Sequence, residues 1–296
     1  MRKAVSLIII ISLMIALSHS TSADDKMDRA QQIIKQSRAA MGGDKLASLK
    51  SLSAAGTYRR VMGDREFSGD LEFEMLFPDK FLKTETLSPV PGMEITRLDA
   101  VNGDQTWMDT KQSGGGAGMV VFRRPGGDSP QGQAMQQQAT NAEFARLLLG
   151  WLLTTQSAFP VEFSYLGEAE APDGRADAIE VKGPGGFSAR LFLDQKTHRP
   201  LMISYRGRQP RMQFNQASGP ATSHEEIEKR VKEAEAAIAA APEVEFQINF
   251  SDYREVEGIQ FPHRLTRSVE GQVNEEWEIK KFKINPAIKP EKFEKK

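Results

Sequence analysis

Residues 66–77, EFSGDLEFEMLF, alternate apolar and polar side chains. Phe67, Leu71, Phe73, Met75 and Phe77 share one parity, and Glu66, Ser68, Asp70, Glu72 and Glu74 share the other. Successive side chains of a strand point to opposite faces, so this pattern makes one dry face and one wet face. The same alternation returns in PVEFSY, with Val161, Phe163 and Tyr165, and in EVEFQINF, with Val244, Phe246, Ile248 and Phe250. Turn signals separate the runs: VNGDQ at 101–105 carries an Asn-Gly dipeptide, LDQKTHRPL is polar, and VEGIQFP and VEGQV place glycine between strands. The pattern predicts about eleven strands. No strand is regularly followed by a helix, which argues against a parallel βαβ sheet. The expected fold is mainly β, one large, strongly curved antiparallel sheet in a single domain over residues 24–296.

Residues 1–23 read as an export signal. Arg2 and Lys3 precede an apolar run from Leu7 to Leu17, and Thr21-Ser22-Ala23 supplies small residues before Asp24. The run is shorter than the roughly 20 apolar residues that a spanning helix needs, so the expected product is exported and not integral to a membrane. The chain of 296 residues has no cysteine, which excludes disulfides, cysteine metal sites and lipid attachment to a cysteine. Its 39 Lys+Arg against 40 Asp+Glu leave no basic excess for nucleic acid. The tail KPEKFEKK reads as a solvated terminus.

Three segments carry helical periodicity. Met27, Ala30, Ile33, Ile34 and Ser37 lie on one helix face, which Gly42-Gly43 ends. Within 111–157, the Gly/Gln-rich front, 111–139, reads as a mobile loop. A helix follows over 141–156, with Asn141 as cap and Phe144, Leu147, Leu148, Trp151 and Leu152 on a wide apolar face. That face must be buried against the sheet or against a ligand, as a lid would be. Ser223 and Glu226 form a capping box for a surface helix over 221–241, closed by Pro242; docking a partner is its functional alternative.

Catalytic and metal chemistry find little support. Of the histidines, His19 lies in the leader, and His198, His224 and His263 fall in different elements without an H-x-x-x-H pair. His263, in phase with Ile259 and Leu265, is expected to be partly buried with one hydrogen-bond partner. Glu72 with Glu74, and Glu276 with Glu278, are explained as solvated strand faces. GDSPQG at 127–132 and GGFSARL at 185–191 are not nucleophile elbows, and GGGAG at 114–118 lacks the lysine of a phosphate loop. The expectation is a protein that is not an enzyme, with no catalytic residue, metal or cofactor. What remains is apolar surface on a concave sheet, a surface suited to a hydrophobic ligand. The candidate cavity takes Phe67, Leu71, Phe73, Met75, Phe163, Phe246, Ile248 and Phe261 from strands. Phe144, Leu147, Leu148, Trp151 and Leu152 come from the helix. The 12 methionines suit a pocket that adapts to flexible chains.

The stretch 249–284 reads as three antiparallel strands with turns at Glu257-Gly258 and Glu270-Gly271. Phe250, Ile259, Phe261, Leu265, Val273, Trp277 and Ile279 recur at mostly even spacings, and the charges between them are expected to face water. The parity slips at Lys280-Lys281, where Phe282 and Ile284 take over, which predicts a bulge or strand end.

Three quoted segments carry a resemblance over most of residues 27–285: AAMGGDKLASLKSLSAAGTY, the hairpin LFLDQKTHRPLMISY, and INFSDYREVEGIQFPHRLTRS. Together they resemble the LolA/LolB-like superfamily of periplasmic lipoprotein-sorting proteins, in particular its larger relatives. The resemblance implies an unclosed β-barrel with helices inside its concave face, a cavity for acyl chains, a periplasmic location and no cofactor. It implies a lipoprotein or lipid as partner. It also implies a second reading, a regulatory or interaction protein of the cell envelope that senses or docks an envelope protein. Arg59 and Arg60, on the first strand, stand where the carriers' functional arginine would be sought.

Overall fold

The computed structural model describes residues 22–63, 65–90, 92–114, 130–171, 174–208, 236 and 240–295. The strands are β1 (Ser51–Met62), β2 (Arg65–Leu76), β3 (Lys80–Val90), β4 (Met93–Asn102), β5 (Gln105–Gly114), β6 (Glu162–Ala171), β7 (Gly174–Lys182), β8 (Ser188–Asp194), β9 (Pro200–Arg208), β10 (Glu243–Val256), β11 (Ile259–Val269) and β12 (Gln272–Ile284). All twelve form one antiparallel sheet in the order β5-β4-β3-β2-β1-β12-β11-β10-β9-β8-β7-β6. β5 and β6 are its two edges and do not pair with each other, so the curved sheet stays unclosed. Each half is a meander of neighbouring hairpins, and only the β1–β12 pairing joins the chain's two ends.

Local chemistry sets the register. Glu257 and Gly258 have φ of 52° and 85°, and Glu270 and Gly271 have 49° and 77°. Two successive positive-φ residues make the tight turn whose twist matches the flanking strands. They join β10 to β11 and β11 to β12, so 249–284 is three antiparallel strands. Lys281 pairs with Ala55 and Ile279 with Gly56, leaving Lys280 as the extra residue of a bulge. Val273 departs from the expected face and is 53% exposed. A register shift between Arg267 and Ser268 moves it off the parity of Trp277.

Among the described residues two long helices lie against the sheet. α1 (Ala23–Met41) starts at a reciprocal capping box between Ser22 and Asp25, so the last two residues read as leader belong to a helix start. It buries Ala30, Ile33, Ile34, Ser37 and Met41 and packs against β6 and β11. A short helix, α2 (Asp44–Ala47), leads into β1. The helix expected over 141–156 runs instead from Pro130 to Leu152, here α3. The Ala- and Gln-rich stretch before Asn141 favours helix over loop, and Leu153, at φ 54°, ends it. Arg38 of α1 donates from Nε (3.1 Å) and Nη2 (2.6 Å) to the Leu153 carbonyl, satisfying a helix-end acceptor and tying the two helices together.

The described residues of the tail from Lys289 to Lys295 are exposed, as expected of a solvated terminus, except Phe293. Phe293 is fully buried in a second small core with Leu82 and Ala100, on the convex face of β3 and β4. Leu98 and Trp107 make that face apolar, and Trp107 Nε1 donates to the Phe293 carbonyl at 2.7 Å. The leader through residue 21 and the Gly-rich stretch 115–129 lie outside the described residues. So does the helix expected over 221–241, apart from Ala236 and Ala240, which are helical. Among the described residues no helix is long and apolar enough to cross a membrane.

Candidate functional site

Strand parity builds the concave face, and it has two halves. In the apolar half, Leu52 opposes Met75, Ala54 opposes Phe73 and Gly56 opposes Leu71 across β1 and β2. Phe81 of β3, Phe250 of β10, Phe261 of β11 and Ile279 of β12 continue it, all buried. α3 lies across this surface. Trp151 meets Phe73 edge-on at 5.1 Å between ring centres and Phe282 at 5.4 Å, and Phe144 lies 5.9 Å from Phe81. Gly150 allows the close seat, because its backbone rests on the Phe250 ring.

The structure brings most of the expected cavity residues into one cluster. Leu71, Phe73, Met75, Phe144, Leu147, Leu148, Trp151, Leu152, Ile248 and Phe261 are all buried in it. Phe163 packs on its border. Phe246 is half-buried and stacks on Tyr205 at 5.1 Å, and Phe67 is half-buried opposite Arg60. Helix and sheet meet side chain to side chain. A recess of about 360 Å³ lies on the convex face between Asp70 and Glu72 on one side and Lys280 and Lys281 on the other.

The second half of the concave face is charged, against the expectation that charges face water. Lys83 and Glu85 share the parity of Phe81, and they oppose Asp99 and Arg97 on β4. Arg60 opposes Glu275, which opposes Arg267. Lys83, Glu85, Asp99 and Glu275 are buried. Arg60 Nη2 reaches Glu85 at 3.0 Å and Glu275 at 2.8 Å, so one guanidinium spans strands on both sides of β1. Lys83 Nζ lies 3.2 Å from Glu85 and 3.5 Å from Asp99, which also pairs with Arg97 at 3.0 Å. α3 contributes Glu143, hydrogen-bonded to Arg267, whose guanidinium lies over Trp277 at 4.5 Å.

Burial and pairing pull these groups in opposite directions. Burial alone would push the Glu85 carboxyl up, but Lys83 and Arg60 outweigh it and hold it well below the usual range. Glu275 behaves likewise beside Arg267 and Arg60. For Glu143, burial is outweighed by Arg267 and Lys83, which bring it from 4.5 to about 2. Tyr58, buried and close to Glu85, is pushed up to about 12. A buried charge survives only when paired, and every carboxylate of this belt has its cation.

Of the two first-strand arginines, Arg60 belongs to this belt. Arg59 points the other way, to Glu66 at 3.1 Å and Glu276 at 2.9 Å on the exposed convex face. His263 is buried with one partner, donating from Nδ1 to the Ile279 carbonyl at 2.6 Å, and its ring stands edge-on to Phe282. Among the described residues no group of three or more His, Asp or Glu side chains is placed to hold a metal ion. The belt escaped sequence reasoning because strand register was needed to see it. Its one legible signal was the in-phase run Phe81, Lys83, Glu85, Leu87, which no wet face would contain.

No family model matches the chain, and no curated protein matches it. Among solved structures, one similar to it is a Vibrio parahaemolyticus domain described as outer membrane lipoprotein-sorting, with 10% identity and a TM-score of 0.49, covering 92% of this chain and 97% of that one. A DUF1329 family protein from Desulfovibrio piger aligns at 8% identity and a TM-score of 0.47, covering 91% and 97%. A LolA superfamily protein from Nitrosomonas europaea aligns at 10% identity and a TM-score of 0.46, covering 90% and 97%. Likenesses at this level leave function to be read from the residues themselves.

Proposed function

We propose that the apolar half of the concave face receives an acyl chain, of a lipid or of a lipid-modified protein, and that α3 lifts to admit it. The observation that carries this reading is the cover itself: the apolar concave face of an unclosed sheet is roofed by helices, with α3 seated on Phe73, Phe81 and Phe250 and α1 on β6 and β11. Five α3 side chains, Phe144, Leu147, Leu148, Trp151 and Leu152, occupy the space that a chain would take. Burying such side chains contributes about 1.5–3 kcal/mol each, hence about 8–15 kcal/mol together. An acyl chain of about sixteen carbons contributes about 13 kcal/mol at about 0.8 per methylene. The two are of one size, so exchange of roof for ligand is nearly balanced, as a carrier that must also release its cargo requires.

Export through the leader would place this exchange in the cell envelope, and the resemblance to the lipoprotein-sorting superfamily agrees with such cargo. The test uses intrinsic fluorescence. Of the three tryptophans, Trp151 and Trp277 lie in the concave core and Trp107 on the convex face. In Trp107→Phe protein, titration with cis-parinaric acid should quench the remaining emission saturably. Absence of saturable binding, together with a lipid-free mass for gently extracted protein, would overturn the reading.

A further inference from the structure

Arg146 of α3 stands apart from the other cations of the belt. Its guanidinium lies 3.6 Å from the Tyr205 ring centre and 5.3 Å from that of Phe187. Among the described residues it has no carboxylate within ion-pair distance, and its buried Nε has no hydrogen-bond partner. Arg60, Lys83, Arg97 and Arg267 each have at least one carboxylate, drawn from Glu85, Asp99, Glu275 and Glu143. Five cations therefore face four carboxylates. Aromatic faces compensate a buried guanidinium only in part.

One of those four carboxylates belongs to the roof. If α3 lifts, Glu143 leaves Arg267, whose Nε is also buried without a partner. The sheet's own belt then holds four cations, Arg60, Lys83, Arg97 and Arg267, against Glu85, Asp99 and Glu275. The side chains of Arg60 and Arg267 keep 25% and 18% exposure, so this half of the concavity opens to solvent. On α3, Glu143 is followed by the apolar stripe Phe144, Leu147, Leu148 and Trp151. From Glu143 to Trp151 the helix rises about 12 Å. A carboxylate at one end of an apolar stripe has the outline of an anionic amphiphile.

Building on the acyl-chain reading, we propose that the ligand is an amphiphile with an anionic headgroup, carboxylate or phosphate. The headgroup takes the place of Glu143 on Arg267, the guanidinium that a lifted α3 leaves without its carboxylate. α3 then acts as an internal surrogate for the ligand, matching it in both charge and apolar surface. A guanidinium suits either oxyanion through paired N–H donors.

The test compares lysophosphatidylglycerol with the uncharged monoacylglycerol of the same acyl chain, and with inorganic phosphate. The anionic lipid should bind about tenfold tighter than the uncharged one, one charge-assisted contact being worth about that factor. Arg267→Met combined with Glu143→Gln removes both halves of the ion pair, leaves Glu275 its Arg60, and should erase most of this preference while the uncharged lipid still binds. Glu143→Gln, which removes the competing carboxylate, should tighten the anionic lipid selectively. Equal affinity for both lipids in the unmodified protein overturns the headgroup site and leaves the acyl reading standing. A preference unmoved in both variants also overturns it. Inorganic phosphate binding as tightly as the anionic lipid would reveal a free-anion site and overturn the amphiphile. Binding of neither lipid would overturn both readings.

Discussion

Gly150 of α3 and Phe250 of β10 are in such close contact that a Cβ at position 150 would stand 1.9 Å from the Phe250 ring. A methyl group there must push the helix or the ring aside. Ala ordinarily favours a helix over Gly by about 1 kcal/mol, so the sign of the effect is diagnostic. Gly150→Ala should destabilise the protein by about 1–3 kcal/mol, the usual cost of overpacking. Pairing it with Phe250→Leu should recover part of the loss in a double-mutant cycle on urea melts. A stabilised single mutant would mean that α3 is not seated as described.

The convex face should prove as sensitive as the concave one. Phe293→Ala removes a fully buried ring only three residues from the chain's end. Substitutions of this kind cost about 3–5 kcal/mol when the site cannot collapse. Truncation after Lys289 should in addition strip Trp107 Nε1 of its acceptor and shift its emission to the red. An unchanged melting temperature in both would show the tail to be an ornament on the surface.

Acid should loosen the roof before the sheet. The Glu143 carboxyl is depressed from 4.5 to about 2 in the folded protein. A depressed carboxyl contributes stability that is complete above its unfolded pKa and disappears as pH falls through the folded value. Stability should therefore decline between about pH 5 and pH 2. Glu85 and Glu275, shifted the same way, add to the slope. Glu143→Gln should lower stability at neutral pH, because Arg267 is left without its carboxylate, and should flatten the decline. Chemical melts of both proteins across that range measure it, and parallel curves would contradict the assignment.

The architecture was legible where one face is wet and the other dry. Alternation located β2 from Phe67 to Met75, and the Glu-Gly turns at 257 and 270 delimited β10 to β12. The slip at Lys280 marked a real bulge, because an extra residue inverts parity and parity is visible in sequence. The charged belt was not legible, since Lys83 beside Asp99 and Arg60 beside Glu275 are partners only once register is known. Phe293 misled for the opposite reason: a lone aromatic among lysines looks solvated until Leu82 and Ala100 are seen to form an apolar patch on the convex face. The helix boundary at Pro130 was missed because glutamines and alanines lack an apolar stripe, although they favour helix by propensity.

Trp151 tests whether the roof yields to a ligand. Its ring is fully buried between Phe73 and Phe282, with edge-on contacts to both. Trp151→Ala should cost about 3–5 kcal/mol of stability if the core around it stays rigid, and less if α3 settles into the space. Affinity for an acyl chain should move the other way. A ligand that binds only the lifted state has its apparent affinity reduced by the scarcity of that state, so weakening the roof raises it. Each 1.4 kcal/mol taken from the closed state should tighten acyl binding about tenfold until the lifted state dominates. Thermal melts and parinaric acid titrations of the same variant, with Trp277 still reporting, measure both quantities. Lower stability with unchanged or weaker acyl affinity would make α3 an ordinary core helix and remove the basis for a lifting roof.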